Sequence, residues 1–457
     1  MLSENEDGGA VMEITVRKQA DINATFTAPA SKSFTHRAII AASLAEGRTT
    51  IRNPLFSEDT EVTVNALKAL GIEITCSPSE IIVEGCAGVM PQCGSQTIDC
   101  KNSGTSLRHL VTLALLSPSK TTLTGTKRMQ ERPIGALCEA LRGCGADIEY
   151  LGADGCPPVR VTGGGFSGGR IAIDASKSSQ YVSSILMCAP YAESAVEIMP
   201  KGSVASRSYI DLTIAVMRAF GAEVDLTSDG IWAVKPAVYR APAPNTSNKS
   251  SSAGVYTVEG DYSSASYFFA AAAVCGGTVT VNGLNPNSVQ GDRVFLKALS
   301  LMGCRVTTVP DPRSGDTAGD IIKIERSGDL NGIEIDMSSS PDIVQTLCAV
   351  CVFAKSPSRI SGISHLRYKE SDRIEAIRIL TESCGCGFAL RDDVIEIIPR
   401  EDGVHGFVCD PKDDHRTAMS AAVIGLGCGD VTIAGAECVA KSFPDFWDKL
   451  KEAGLSE

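Results

Sequence analysis

Two cations stand at the start of a predicted helix near the N-terminus, where helices usually carry acids. Residues 29–37 read PASKSFTHR, and the small apolar run after them predicts a helix that Gly47 ends. Lys32 and Arg37 oppose the positive end of that helix's dipole. A bound anion would turn this penalty into a favourable interaction. The two side chains are therefore either solvated surface charges or part of an anion site.

Cations also stand at or near the starts of other predicted helices. These are Arg108, Arg132, Arg207, Arg293, Arg373, Arg416 and Lys441. If the helices point the same way, these side chains and the helix ends face one cleft, where they would bind the phosphates and carboxylates of small molecules. The alternative is that some arginines pair with neighbouring acids, such as Arg373 with Glu370 at helical spacing.

Composition excludes several other classes of protein. The chain of 457 residues is long enough for about two domains, and its net charge of −12 argues against nucleic acids and anionic membranes as partners. No apolar run is long enough to span a membrane, and the acidic N-terminus lacks the features of a secretion signal. The seventeen cysteines lack zinc spacing, and the CxxC from Cys348 to Cys351 lies in an apolar run. We therefore expect a cytoplasmic protein with buried thiols and no metal.

The sequence repeats one unit six times, at intervals of about 75 residues. Each copy has a β-branched segment and then an amphipathic helix, and these helices stop near Gly71, Gly145, Gly221, Gly303, Gly385 and Gly454. A second helix of small apolar residues precedes each copy, at residues 35–46, 105–116, 178–192, 263–274, 341–354 and 414–426. Since these second helices carry few charges, they are predicted to be buried, with sheets on the outside.

A polar segment at residues 235–254 separates the first three copies from the last three, and is predicted to be a linker or a surface insertion. This predicts an α/β protein of two similar domains with a ligand cleft between them. The first domain would span residues 31–255. The second would span residues 1–30 plus 256–457, because the strand at residues 12–17 is expected to complete the domain that holds the sixth copy.

Motifs from residue 32 onward then match a known family. They are SKSFTHR at 31–37, NSGTSLR at 102–108, RMQERPI at 128–134, SSQ at 178–180, VEGDYSSASY at 258–267, MSSSPD at 337–342, RYKESDR at 367–373, DDHR at 413–416 and KSFPD at 441–445. On these motifs the chain resembles the 5-enolpyruvylshikimate-3-phosphate synthases. The resemblance implies two domains of three βαβαββ units each, an inside-out α/β barrel type of fold, with the active site in the interdomain cleft. It also implies transfer of the enolpyruvyl group of phosphoenolpyruvate to the 5-hydroxyl of shikimate 3-phosphate through a tetrahedral intermediate. We expect the protein to be a monomer and to need no cofactor.

The same resemblance assigns residues to roles. Catalytic residues would be Lys32, Asp342, Lys369 and Glu370, with Asp342 accepting the hydroxyl proton and the Lys369–Glu370 pair managing protonation of the methylene. Shikimate 3-phosphate would contact Lys32, Ser33, Arg37, Ser178, Ser179, Gln180, Ser206, Tyr209, Asp342, His365 and Lys369. Phosphoenolpyruvate would contact Lys32, Asn102, Gly104, Thr105, Arg132, Gln180, Arg373, His415, Arg416 and Lys441.

Two positions depart from the family's usual pattern. His365 stands where asparagine is usual, and His109 where proline is usual. Two other functions remain open at this stage, namely the sister transferase that acts on UDP-N-acetylglucosamine and a non-catalytic anion-binding paralogue. The SKS and SSQ motifs favour a small phosphorylated acid over a nucleotide sugar, and acids among the cations argue against binding alone.

Overall fold

The computed structural model describes residues 2–4, 10–165, 167–243, 254–310 and 320–455. The chain divides into two compact units. We call Lys32–Val258 the continuous unit, and Met1–Ser31 together with Glu259–Glu457 the discontinuous unit. Among the described residues, no helix has the length and apolar character needed to cross a membrane.

The α-helices of the described residues alternate between inner and outer positions along the chain. They are α1 (Lys32–Leu44), α2 (Glu58–Ala69), α3 (Gly104–Leu113), α4 (Gly135–Arg142), α5 (Gln180–Cys188), α6 (Ser208–Ala219), α7 (Tyr262–Cys275), α8 (Val294–Leu301), α9 (Val344–Cys351), α10 (Arg373–Ser383), α11 (His415–Cys428) and α12 (Phe446–Glu452).

Short strands separate these helices. They are β1 (Leu2–Glu4), β2 (Ala10–Val16), β3 (Ile22–Thr27), β4 (Glu46–Arg52), β5 (Glu73–Ser77), β6 (Glu80–Cys86), β7 (Gln96–Asp99), β8 (Thr121–Thr124), β9 (Asp147–Tyr150), β10 (Val159–Thr162), β11 (Gly169–Ile173), β12 (Val196–Pro200), β13 (Val224–Leu226), β14 (Trp232–Val234), β15 (Gly254–Thr257), β16 (Gly277–Leu284), β17 (Arg305–Val309), β18 (Asp320–Arg326), β19 (Glu334–Asp336), β20 (Ser358–Ser361), β21 (Gly387–Arg391), β22 (Val394–Ile398), β23 (Val408–Cys409) and β24 (Val431–Ala434).

One sheet pattern recurs throughout the described residues. In the continuous unit the strand orders are β15-β4-β6-β5, β7-β8-β10-β9 and β11-β12-β14-β13, and in the discontinuous unit they are β3-β16-β18-β17, β19-β20-β22-β21 and β23-β24-β2-β1. Each order begins with a parallel pair and continues with two antiparallel pairings. The predicted repeat is thus confirmed as a structural unit.

Three sheets draw strands from distant parts of the chain. β2 pairs with β24, which confirms that the N-terminal strand joins the sheet of the sixth copy. β3 precedes α1 in the sequence but pairs with β16, whereas β15 pairs with β4. The chain therefore passes from one unit to the other beside β3 and again beside β15.

The helices of small apolar residues are buried, as predicted. Every residue of α7 and of α9 is buried, as is α1 from Phe34 onward. In the discontinuous unit α7, α9 and α11 pack against one another. Cys348 and Cys351 lie within α9, and burial raises the pKa of both thiols, that of Cys351 to about 12. These cysteines therefore act as small core residues.

The outer helices end for a common reason. The glycines predicted to stop α2, α4, α6, α8, α10 and α12 all have φ between 70° and 107°, the left-handed region that lets a helix terminate without steric cost. One other prediction needs correction, because helix α1 ends at Leu44 and Gly47 therefore lies inside β4. Residues 244–253 of the predicted linker lie outside the described residues. In its described part, residues 235–243, most residues are exposed or half-buried, but Tyr239 is fully buried and donates to Met187 O at 2.9 Å, which anchors this segment.

Candidate active site

Helix α1 presents Lys32 in its first turn, where an acid of the next helix meets it. Lys32 Nζ lies 2.9 Å from Asp59 Oδ2, and both side chains are largely buried. Asp59 lies in the first turn of α2 and is not among the site residues predicted from the sequence. Lys32 is therefore held by a buried ion pair, and the predicted interpretation of solvated charge is wrong for it.

Arg37 is the second cation of this helix and is 1% exposed. Its Nε donates to Thr213 Oγ1 at 2.7 Å, and its two terminal nitrogens donate to the carbonyls of Ser33 at 3.0 Å and Tyr209 at 3.4 Å. Burial lowers the pKa of Arg37 to about 10, while Tyr209 and Tyr256 act in the opposite direction. The guanidinium is thus charged at neutral pH while bound to neutral groups, an arrangement that suits an incoming anion.

Two further arginines converge at the start of α3. Arg132 Nη1 donates to the backbone and side-chain oxygens of Asn102, at 3.2 and 3.4 Å. A β-carbon on Gly104 would lie 2.5 Å from Arg132 Nη2 and 2.8 Å from Arg108 Nη1. Only glycine lets both guanidinium groups approach the helix here.

Gln180 begins α5 and joins this group of side chains. Its Nε2 donates to Thr105 Oγ1 at 2.9 Å, and its Oε1 accepts from Arg108 Nη1 at 2.7 Å. The guanidinium of Arg108 also lies 5.7 Å from the centre of the Tyr181 ring. The sequence had marked Arg108 as a helix-start cation but had not placed it among the substrate contacts.

Three serines lie near the starts of α5 and α6. Ser178 and Ser179 directly precede α5, and the backbone amide of Gln180 donates to Ser178 Oγ at 3.2 Å. The loop that carries Ser206 runs beside the loop before α5, because the Ala205 amide donates to Ala175 O. Ser206 is buried with φ of 55°, and within the described residues its hydroxyl has no hydrogen-bond partner. A buried hydroxyl of this kind is a candidate ligand contact.

In the discontinuous unit, Asp342 lies between two arginines. Its Oδ1 is 3.1 Å from Arg373 Nη1, and its Oδ2 is 2.9 Å from Arg416 Nη2. Arg416 Nη1 also donates to the Asp342 carbonyl at 2.7 Å and to Ser263 Oγ at 2.6 Å. The carboxylate is therefore held on both sides.

Arg373 is also surrounded by two more acids. Its Nε lies 3.0 Å from Asp414 Oδ2, and its Nη2 lies 2.8 Å from Glu370 Oε2. Burial alone would lower the pKa of Arg373, but the carboxylates of Asp414, Glu370 and Asp342 raise it above its ordinary value. The pairing of Arg373 with Glu370, left open by the sequence, is thus observed. Asp414 was missed, although its place before His415 fits a helix cap, and it caps α11 by accepting from the Arg416 amide.

Three further predicted residues of this unit are buried, namely His365, His415 and Lys441. His365 is buried, and its pKa is lowered to about 3 by burial and by Lys369, with Asp342 opposing and Arg373 adding to the shift. His415 is buried with its Nδ1 3.9 Å from Asp414 Oδ1, and Lys441 is buried at the end of a short 3-10 helix, Ala436–Lys441. The described residues contain no group of three or more metal-ligating side chains suited to an ion.

The fold and these clusters define a class: an α/β protein of two repeated units, each carrying buried cations beside polar helix starts, suited to anionic small molecules. A family model for EPSP synthase (3-phosphoshikimate 1-carboxyvinyltransferase) matches residues 16–450. The 3-phosphoshikimate 1-carboxyvinyltransferases of Methanoculleus marisnigri and Methanosphaerula palustris are 50% and 49% identical, over 97% of this chain and 100% of each relative. A solved EPSP synthase from Acinetobacter baumannii aligns with a TM-score of 0.79 at 27% identity, covering 97% of this chain and 98% of that one.

The chain therefore belongs to the EPSP synthase family, and it is a transferase with the fold of that family. The sister transferase of UDP-N-acetylglucosamine, left open by the sequence, is not favoured by these comparisons.

Proposed function

We propose that this chain transfers the enolpyruvyl group of phosphoenolpyruvate to the 5-hydroxyl of shikimate 3-phosphate and releases phosphate. Beyond the family match, the observation that carries the proposal is the Asp342 carboxylate lying between Arg373 and Arg416. Such an arrangement combines a base with groups that neutralise a second anion.

In this proposal, most contacts to shikimate 3-phosphate come from the continuous unit. Arg37 and Ser33 take the carboxylate, because Arg37 is a buried cation bonded to neutral groups. Ser178, Ser179 and Ser206 take the 3-phosphate, which the start of α5 favours and which would satisfy the Ser206 hydroxyl. Gln180 and Tyr209 lie against the ring. In the discontinuous unit, the assigned contacts are Asp342, His365 and Lys369.

Phosphoenolpyruvate takes the remaining cations. In the continuous unit these are Lys32 and Arg132, with Asn102, Gly104, Thr105 and Gln180 shaping the contact. In the discontinuous unit they are Arg373, Arg416 and Lys441, with His415. Guanidinium groups suit this ligand because they bind phosphate and carboxylate through two parallel hydrogen bonds.

The ion pairs of Asp342 give the reaction its first step. Phosphoenolpyruvate replaces the Asp342 carboxylate at Arg373 and Arg416, which frees that carboxylate to accept the proton of the 5-hydroxyl. The hydroxyl oxygen then adds to carbon 2 of phosphoenolpyruvate while carbon 3 takes a proton, managed by Lys369 and Glu370. The transfer is completed when carbon 3 loses a proton and the bond between carbon 2 and the phosphate oxygen breaks. The cations stabilise the departing phosphate.

A phosphate-release assay with two acceptors tests this proposal. Wild-type protein is incubated with phosphoenolpyruvate and either shikimate 3-phosphate or UDP-N-acetylglucosamine. We expect release only with shikimate 3-phosphate, and loss of that release in Lys32→Met with an unchanged circular dichroism spectrum. Release only with the sugar nucleotide would overturn the proposal, and release with neither acceptor would favour a non-catalytic paralogue.

We also propose that the enzyme acts in the cytoplasm as a monomer without a cofactor. The free thiols, most of them buried, support a reducing compartment. Size-exclusion chromatography with light scattering should give a mass near 47.9 kDa. A mass of twice that value would contradict the monomer.

A further inference from the structure

His36 lies at the centre of three helices and has no role in the substrate contacts above. It is fully buried in α1, one turn after Lys32. Its Nδ1 lies 2.8 Å from Thr63 Oγ1 of α2. Residues four apart share one face of a helix, so Lys32 and His36 both reach α2 from the same side of α1.

The hydrogen bonds continue from Thr63 to the start of α3. Thr63 Oγ1 is 2.8 Å from Ser106 Oγ, which is 2.7 Å from Ser103 Oγ. Ser103 is the N-cap of α3, and its hydroxyl accepts from the Ser106 amide at 3.4 Å. The chain of bonds from His36 therefore ends at the cap that precedes Gly104 and Thr105.

A branch of this chain returns to α1. Ser106 Oγ donates to the Asp59 carbonyl at 3.3 Å, and the Asp59 carboxylate pairs with Lys32. Together with the covalent structure of Asp59 and of α1, these bonds form a closed ring that leaves α1 at His36, crosses α2 and α3, and returns to α1 at Lys32. Movement of any one helix start would break part of this ring.

The imidazole of His36 is neutral and has one fixed polar contact. Burial lowers its pKa to about 3, with Asp59 opposing and Lys32 and Arg37 adding to the shift. Among the described residues its Nε2 has no hydrogen-bond partner. Its hydrogen bond to Thr63 is therefore the contact that orients the imidazole of His36.

We propose that His36 is a positioning residue, whose hydrogen bond to Thr63 holds the substrate residues of α1 in register with the cap of α3. Because the role rests on the proposed function, its readouts must separate it from simple packing. A packing role would require only the volume of the ring. A positioning role requires a polar atom near the place of Nδ1, and the amide of asparagine supplies one.

Steady-state kinetics on the full chain test this role through three substitutions. His36→Leu and Thr63→Val should each lower kcat/KM about 10- to 100-fold, since small displacements of reacting groups have effects of this size. His36→Asn should stay within about threefold of wild type because its amide can still reach Thr63. The double variant His36→Leu/Thr63→Val should be no worse than either single variant, because both remove one interaction.

The matched control is Thr112→Val. Thr112 Oγ1 of α3 lies 2.5 Å from Ser184 Oγ of α5. The change therefore removes a buried contact between two hydroxyls that lies outside the ring of hydrogen bonds. Its kcat/KM should remain near wild type. Wild-type kinetics in Thr63→Val, equal losses in His36→Asn and His36→Leu, or fully additive losses in the double variant would each overturn the role. Thr63→Val keeps the test decisive even if His36→Leu does not fold.

Histidine nitrogen NMR makes the result independent of turnover. The chain has only five histidines, and His36→Asn identifies the His36 signal. We expect a single neutral tautomer whose Nδ1 resonance shifts in Thr63→Val and is unchanged in Thr112→Val. A His36 Nδ1 resonance that does not shift in Thr63→Val would refute the hydrogen bond between His36 and Thr63. Failure of the proposed function would instead appear as wild-type protein that releases no phosphate.

Discussion

At the scale of single residues, the cations fall into two groups according to whether they contact neutral oxygens or carboxylates. Arg37 and Arg108 donate to neutral oxygens. The hydrogen bonds described above for Arg132 also go to neutral oxygens. Arg373 and Arg416 are instead engaged by carboxylates. An anion would add to the first group but must replace a carboxylate in the second. In the proposed mechanism, binding of phosphoenolpyruvate at Arg373 and Arg416 therefore releases the Asp342 carboxylate to act as the base.

Asp342→Asn separates those two roles of one carboxylate. Turnover should fall about 10²- to 10⁴-fold because the base is lost. Binding of phosphoenolpyruvate to the full chain, measured by calorimetry, should tighten by about tenfold, because two guanidinium groups lose a competing charge. Asp336→Asn is the control, since it removes an exposed carboxylate on β19 that bonds the Ser338 amide. Weaker binding in Asp342→Asn would contradict the competition.

Gly104→Ala tests the convergence of Arg132 and Arg108. The added methyl group would lie within 2.8 Å of both guanidinium groups, so they must shift. We expect the KM for phosphoenolpyruvate to rise about tenfold or more, since reacting groups are displaced. Stability should hold or increase slightly because alanine favours a helix over glycine by about 1 kcal/mol. Gly328→Ala, where the added carbon meets open space, is the control, and an unchanged KM in Gly104→Ala would rule out the crowding.

At the scale of elements, several proposed site residues lie at helix starts, and side-chain caps hold those starts in place. Asp372 caps α10, and Asp414 caps α11 while also bonding the side chain of Arg373. The sequence predicted α10, α11 and the glycine that stops α10, and it offered the pairing of Arg373 with Glu370 as an alternative, because each follows from local spacing. It could not predict the pairing of Asp59 with Lys32 or of β15 with β4, because such contacts depend on how distant segments pack.

The two caps should differ in their contribution to stability. Asp372→Ala loses a half-buried cap, which costs about 1 kcal/mol. Asp414→Ala loses a cap and leaves the buried Arg373 with one fewer carboxylate, which we expect to cost about 3 to 5 kcal/mol. Urea unfolding of the two variants measures both values. Equal losses would show that the pairing of Asp414 with Arg373 contributes nothing beyond the cap.

At the scale of the whole molecule, buried histidines link stability to pH. His36, His109 and His365 each have a pKa lowered to about 3, mainly by burial. The unfolded chain binds these three protons below about pH 6.5, while the folded chain does not. Their contribution to stability is therefore fully present above pH 6.5 and is lost as pH falls toward 3.

Thermal or urea unfolding between pH 6.5 and pH 5 measures this effect. Three protons correspond to a decline of about 4 kcal/mol in the free energy of unfolding per pH unit near pH 5. His36→Asn should reduce that slope by about one third. A slope that is flat over this range, or unchanged in the variant, would show that these rings do not stay neutral in the fold.

The domain boundaries proposed from the sequence can be tested at the same scale. The chain is divided between the two compact units at Ser31/Lys32 and at Val258/Glu259, close to the predicted boundaries at 30/31 and 255/256. Limited proteolysis followed by mass spectrometry should yield fragments that end near residues 235–255. Early cleavage inside α7 or α11, both buried, would argue against two compact domains.

The measurement that tests the central claim most directly is phosphorus NMR of the working enzyme. Wild-type protein is mixed with phosphoenolpyruvate and shikimate 3-phosphate. We expect the phosphoenolpyruvate signal to be replaced by an equal amount of inorganic phosphate, while the shikimate phosphate shifts but is retained, and we expect no change without the acceptor. Loss of the shikimate phosphate, or phosphate release without the acceptor, would contradict transfer of the enolpyruvyl group.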